Sequence, residues 1–292
     1  MKYPVDLQVH STYSPDAEFT SDELFNLAKQ QGMHAIAITD HNVALGIPRA
    51  ISAANKYGLE TLQAIEMSTK YKKIDVHVLG YSNNFNLGLL NKETESTRNG
   101  YNDRSKEIVK KINEAKVADI DFEQLFLKYK DSYVSKPAIA QEIAKQKQID
   151  YKEAIKYVER GGIGYVPYGD WAMRPHEAVN IIHRAGGIAI LAHPGDFFTT
   201  RSSESQEVSK KILYHLLDEL ISIGLDGLEV YYSKHQPKWI EEFKLFAQNN
   251  NLLISGGSDY HGPAYNNKIN IGDGGISIEQ FTLIKNKLVT KK

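Results

Sequence analysis

The chain has 292 residues, 41% of them hydrophobic and 24% charged, with a formal net charge of −1 and no cysteine. Such a composition belongs to an ordered globular protein, and no apolar run reaches the roughly 20 residues that span a bilayer. Near-neutral charge gives no overall attraction for nucleic acid, so no stable nucleic-acid complex is expected, and the lack of cysteine excludes disulfides, thiolate zinc sites and a cysteine nucleophile. The first strand is entered by Val5, leaving no room for a signal peptide; a cytoplasmic protein without a membrane partner is the expectation.

The length suits an α/β barrel with one insertion, a single domain over 1–292. VDLQVH reads as a strand ending in Gln8 and His10, with Asp16 close behind. Thr20 and Glu23 have capping-box spacing, Leu24, Leu27 and Ala28 share one helical face, and Gly32 supplies a stop. The strand AIAITDH delivers Asp40 and His41, LETLQAIEMST delivers Glu66, and DVHVLGYS carries His77. Residues 92–170 differ: they are helical by periodicity, contain no histidine, and balance 15 Lys plus Arg against 14 Asp plus Glu. They read as a helical insertion rather than a basic nucleic-acid patch. The alternation then resumes. HEAVNIIHRA is a helix opened by Pro175, GIAILAHPG ends in His193, DGLEVYYSKH contains Glu229 with His235 beyond it, and LLISGGSDYHG ends in Asp259 and His261.

Seven apolar strands thus end in or near a chelating side chain, and an α/β barrel brings strand ends together at one face. A lone histidine at a strand end is usually structural. The set His10, Asp16, His41, Glu66, His77, His193, Asp259 and His261 is harder to explain that way. Mixed imidazole and carboxylate ligands suit manganese, zinc or iron, and a bridging carboxylate can hold two ions about 3.5 to 4 Å apart. Asp40 reads as a partner that orients a ligand. His34, His176, His183 and His215 fall at element starts or on helices and read as structural.

The fragments DLQVHSTYSPD, AITDHN, AIEMS, HVLGY, LAHPG, LEVYYSKH and GGSDYHG resemble successive motifs of the PHP (polymerase and histidinol phosphatase) family, nearest to its phosphoesterase branch of nucleoside 3′,5′-bisphosphate phosphatases and 5′–3′ exoribonucleases. The resemblance implies a distorted (β/α)7 barrel whose insertion, through SKPAIAQEIA and GIGYVPY, forms a lid. It implies two or three divalent ions: one on Gln8, His10, Glu66 and Asp259, one on Glu66, His77 and His193, and one on Asp16, His41 and His261. A metal-bound hydroxide would then hydrolyse a phosphate ester of a nucleotide or a short oligonucleotide 5′ end, with Glu66, His193 and His235 at the reaction centre. Lys136, Arg98, Arg104 and His235 are the candidate phosphate contacts. A histidinol-phosphate-type phosphatase and a metal-binding protein of weak catalysis are the rival readings; an amidohydrolase fits less well, because Glu66 sits in an AIE motif. Two departures stand out. Gln8 replaces the first histidine of His-x-His, and Lys136-Pro137-Ala138 replaces Arg-Pro-His in the lid.

Overall fold

A computed structural model describes residues 3–72, 74–198 and 205–290. The strands are β1 (Val5–Val9), β2 (Ala35–Ile38), β3 (Gln63–Tyr71), β4 (Ile74–Ser82), β5 (Ile188–Leu191), β6 (Gly227–Tyr232) and β7 (Leu253–Gly257). Helices α1 (Ser21–Gln30) and α2 (Ile47–Tyr57) alternate with the first strands. The chain then runs through α3 (Leu87–Glu114), α4 (Phe122–Lys128), α5 (Lys136–Lys147) and α6 (Tyr151–Ala154). It closes with α7 (Pro175–Arg184), α8 (Gln206–Ser222), α9 (Pro237–Asn249) and α10 (Ile278–Thr290). The Thr20–Glu23 capping box forms as the spacing predicts, and α2 ends on Gly58 at φ 65°, a left-handed backbone that glycine adopts without strain.

Ladder hydrogen bonds define two sheets rather than one continuous ring: β1 and β2 pair in parallel, and β3 to β7 form a five-stranded sheet in chain order. Among the described residues these ladders do not close the ring that the expected distorted (β/α)7 barrel implies. β3 and β4 are an antiparallel hairpin, β4 and β5 are also antiparallel, and only β5–β6–β7 continue in parallel. The short link between Tyr71 and Ile74 cannot make the crossover that a parallel pair requires. Isolated bridges join the sheets, His41 to Glu66 on one side and Val9 to Tyr260 on the other. The strands are buried almost throughout, as expected of a sheet covered on both faces.

The insertion has a core of its own. Ile108, Val109, Ile112, Leu125, Val134, Ile139 and Ile143 pack together from α3, α4, α5 and the connecting loops, separately from the clusters under the sheets. Its first helix begins at Leu87, five residues before the expected boundary, because Asn86 caps it by accepting from the Leu89 amide. Contacts on two sides tie this unit to the rim of the sheets. Asn42 donates to the Tyr133 hydroxyl at 3.2 Å, and Gln141 donates to the Ala264 carbonyl at 3.4 Å.

Candidate metal centre

Glu66 lies midway along β3, fully buried, and five side chains from four other segments meet it. Its Oε1 is 2.5 Å from His77 Nδ1 and 3.1 Å from His193 Nε2. Its Oε2 accepts from Gln8 Nε2 at 2.9 Å and lies 3.1 Å from His10 Nε2. His41 Nδ1 stands 3.7 Å from the same oxygen. The antiparallel hairpin explains His77: it sits near the start of β4, which is where β3 ends, so Ser68 and His77 pair across the ladder.

The remaining expected groups are close by. Asp259 Oδ1 is 3.3 Å from His10 Nε2 and 3.6 Å from His261 Nδ1. Asp16 lies 3.9 Å from His41 Nε2 and 3.6 Å from His261 Nε2, and the His10 and His261 rings stack at 4.0 Å. All nine residues named from the sequence, Gln8 included, therefore lie in one connected cluster. Among the described residues three trios hold their ligand atoms within 4.8 Å of one another: His10–Glu66–Asp259, His41–Glu66–His77, and His10–His41–His261. The first matches an implied set. The other two differ, with His41 replacing His193 beside Glu66 and His10 replacing Asp16 beside His41 and His261.

The donor set can be tested against metal binding on its own chemistry. His10 Nε2, His41 Nδ1, Asp16 Oδ1 and Gln8 Oε1 are buried and make no hydrogen bond among the described residues. Orphaned polar atoms are costly in a protein interior, and several of them aimed at shared carboxylates are what a cation would repair. The electrostatics agree. Burial works to raise the Glu66 pKa, yet the charge of His77 and the hydrogen bonds of His10 and His193 hold it well below the usual carboxylate range. Burial pushes His41 down to about 3, so that ring is neutral with a free lone pair. The residues fit a divalent-metal centre.

Side chains the sequence reading gave less weight hold this cluster in place. Ser14 Oγ is 3.0 Å from His10 Nδ1, donates to Asp40 at 3.0 Å and accepts from the His41 amide at 3.0 Å. Asp40 also takes the Ser11 hydroxyl and amide, so it acts as the orienting partner expected of it. His193 and Asp259 both have left-handed backbones, φ 27° and 57°, which non-glycine residues rarely adopt. Each is pinned through its amide: the His193 N–H donates to buried Glu229 at 2.8 Å, and the Asp259 N–H to the Gln8 carbonyl at 2.9 Å. Gly257 lacks a side chain where the backbone and Cβ of Gln8 pack against it. The alternation of the strands signals none of these contacts, because each depends on backbone from another segment.

The four candidate phosphate contacts divide into two pairs. Arg98 donates to the Asn42 and Asn91 carbonyls and to Thr94, which ties α3 to the rim. His235 has both ring nitrogens engaged, Nδ1 with the Val230 carbonyl at 2.8 Å and Nε2 accepting from the Gly195 amide at 3.0 Å, so it braces the loop after His193. Arg104 is buried over the Tyr168 ring, with Nε and Nη2 on the Val166 carbonyl and Nη1 buried without a hydrogen bond. Lys70 also lies over this ring, 3.5 Å from the Tyr168 centroid. Burial lowers its pKa to about 8, with Asp75 opposing and the charges of Lys136 and Arg104 adding to the fall. Lys136 and Arg104 are thus the cations whose charge reaches Lys70.

Comparison with known proteins adds the lineage. A 3′,5′-nucleoside bisphosphate phosphatase of Chromobacterium violaceum is 26% identical over 261 residues, covering 89% of this chain and 87% of that protein. The 5′–3′ exoribonuclease Rnm of Escherichia coli is 26% identical over 262 residues, covering 88% and 85%. In fold, the chain is similar to a Bifidobacterium adolescentis structure assigned as a metal-dependent phosphoesterase, with a TM-score of 0.82 at 24% identity over 97% of this chain and 96% of that one. The sequence pattern of the PHP domain matches residues 6–213, well over half of the chain, and the protein belongs to the PHP domain family.

Proposed function

We propose that this protein is a metal-dependent phosphoesterase that hydrolyses phosphate esters of nucleotides or of oligonucleotide 5′ ends. The observation that carries the reading is the convergence of His10, His77 and His193 on one buried carboxylate, Glu66, with Asp259, His41, His261 and Asp16 completing the ring. Relatives named as a nucleoside bisphosphate phosphatase and an exoribonuclease support the substrate class. Divalent ions held by these residues, two or three of manganese, zinc or iron, would lower the pKa of water and neutralise phosphoryl oxygens. The isolated bridges at His41 and Val9 support a distorted (β/α)7 barrel, and a cysteine-free chain supports a cytoplasmic setting. Among the described residues no helix is long and apolar enough to cross a membrane.

The protein's own groups divide the remaining work. His10, Glu66 and Asp259 would hold one ion, with the Gln8 amide beside it on Glu66, Glu66 with His77, His193 and His41 a second, and Asp16, His41 and His261 a third. The insertion, 92–170 with the turn of helix before it, is a lid that reaches the rim at Asn42, beside His41, and at Ala264, near His261. Lys136 and Arg104, joined by Lys70, meet the phosphate charge that lies away from the reacting ester. Arg98 and His235, whose donors are committed inside the fold, take positioning parts in place of the phosphate contacts expected of them. The test pairs metal analysis of the purified protein with a panel of phosphomonoesters, nucleoside bisphosphates and short 5′-phosphorylated RNAs. Lys136→Ala should raise KM for a bisphosphate several-fold with metal content unchanged. A metal-free protein inactive on the whole panel under added manganese would reject the assignment.

A further inference from the structure

Lys234 follows β6 in the SKH motif, next to the histidine that the sequence singles out. Its ammonium donates to the Tyr232 hydroxyl at 2.8 Å and lies 3.4 Å from Asp259 Oδ2. The Tyr232 hydroxyl in turn donates to the same Oδ2 at 3.1 Å. One carboxylate is therefore shared between two duties: Oδ1 faces His10 and the centre, while Oδ2 is held by a tyrosine and a lysine. The Tyr232 ring is buried 5.3 Å from the His193 ring, so its hydroxyl fixes the ammonium between two strand ends at the edge of the cluster. The lysine stem is half exposed, at 49%, so the group is wetted from outside and anchored from within.

Tyr232 already satisfies Oδ2, and an ion pair this exposed adds little to stability. A half-exposed ammonium has three N–H donors; here one goes to Tyr232 at 2.8 Å and a second, long one to Asp259 Oδ2 at 3.4 Å, which leaves the third for a ligand. What the position offers is a compact positive charge on the open side of Asp259, where an entering phosphoryl group would pass. A point charge attracts a dianion about twice as strongly as a monoanion at the same distance. We infer that Lys234 is a specificity residue that contacts substrate and favours a terminal phosphomonoester dianion over an internal phosphodiester monoanion. This inference rests on the phosphoesterase reading of the centre and assigns it an end-group preference.

The experiment compares the wild type with Lys234→Gln and Lys234→Arg, metal-loaded, on p-nitrophenyl phosphate and bis(p-nitrophenyl) phosphate, and titrates each protein with inorganic phosphate by calorimetry. Lys234→Gln should lower kcat/KM for the monoester about tenfold and for the diester no more than about threefold, and should weaken phosphate binding about tenfold. Lys234→Arg should restore most of the ratio. Equal losses on both esters would mean that the lysine acts only through Asp259, and no loss would make it a surface residue; either overturns the inference. A wild type that hydrolyses neither ester yet binds phosphate through Lys234 would reject the catalytic reading while leaving the phosphate contact intact.

Discussion

The two ends of the same strands use the same residue types to opposite effect. At the entry end, His34 pairs with Glu60 at 2.9 Å just before β2, and Lys285 closes the pair at 2.6 Å. Just before β6, Asp226 takes His183 Nε2 at 2.8 Å and the Ala189 amide at 2.9 Å. Each histidine there has its own carboxylate, and each carboxylate has a second donor. At the exit end, Gln8, His10, His77 and His193 crowd one carboxylate within 3.1 Å, and polar atoms of His10, His41, Asp16 and Gln8 are left without hydrogen bonds. One-to-one pairing stabilises a fold. Many-to-one convergence with orphaned atoms is unstable by itself and indicates a cation as the missing member.

The largest expected effect comes from breaking the convergent end at its hub. Glu66→Gln keeps the shape and removes the charge that four imidazoles surround, so bound metal per chain should fall and phosphatase activity should drop more than about a hundredfold. Far-UV circular dichroism should be unchanged. Retention of both metal and turnover would show that the convergence is structural after all.

A second test uses acid. His235 is at the exit end but is satisfied like the entry-end histidines, and burial lowers its pKa to about 4. The unfolded chain takes up a proton near pH 6.5 while the folded one resists until about 4, so the stability this neutral ring retains is full above pH 6.5 and is lost as the pH falls toward 4. The loss amounts to ~3 kcal/mol, at roughly 1.4 kcal/mol per pKa unit. Urea titrations across that window should show a shallower fall for His235→Gln than for the wild type; parallel curves would place the proton uptake elsewhere. At the entry end, Asp226→Ala strands the Ala189 amide and His183, which should cost about 1–3 kcal/mol of stability. Its kcat/KM at 25 °C should match the wild type, and a drop in kcat would mean that the two ends are coupled.

How much of this was legible beforehand follows from the same contrast. The chelating set could be read because apolar strands with a terminal histidine or carboxylate recur down the chain, and all of those residues lie in one cluster. His77 was legible as a ligand but not as a residue at the start of its strand, since the pattern of DVHVLGYS is the same in either direction. His235 drew attention as an imidazole beside a motif, while its bonds to the Val230 carbonyl and the Gly195 amide depend on how two loops pack. Lys234 is not legible in the sequence because a lysine in a loop is usually solvated, and the contacts with Tyr232 and Asp259 that fix its position exist only in the fold. The role of Arg98 was hidden for the same reason: its main partner is a backbone carbonyl 56 residues away.

The smallest effect expected is at Gln8, where the convergent end departs from the family pattern. Its amide is buried, Nε2 donates to Glu66 Oε2 at 2.9 Å, and Oε1 makes no hydrogen bond. In this orientation the side chain occupies with a proton the same carboxylate oxygen that His10 approaches at 3.1 Å, so it competes with a cation there instead of helping to hold one. Turning the amide over would present an oxygen, which is a weaker donor to manganese or zinc than an imidazole nitrogen. The His10–Glu66–Asp259 position should accordingly be the loosest of the three. Gln8→His replaces the proton donor with a lone pair and should lower the half-activating Mn²⁺ concentration about three- to tenfold, with kcat at saturating metal little changed. Activity titrations with equilibrium dialysis on both proteins decide the matter. Coincident curves with equal stoichiometry would show that Gln8 plays no part in metal binding, and its contact with Glu66 would then be one more closed polar pair, like those at the entry end.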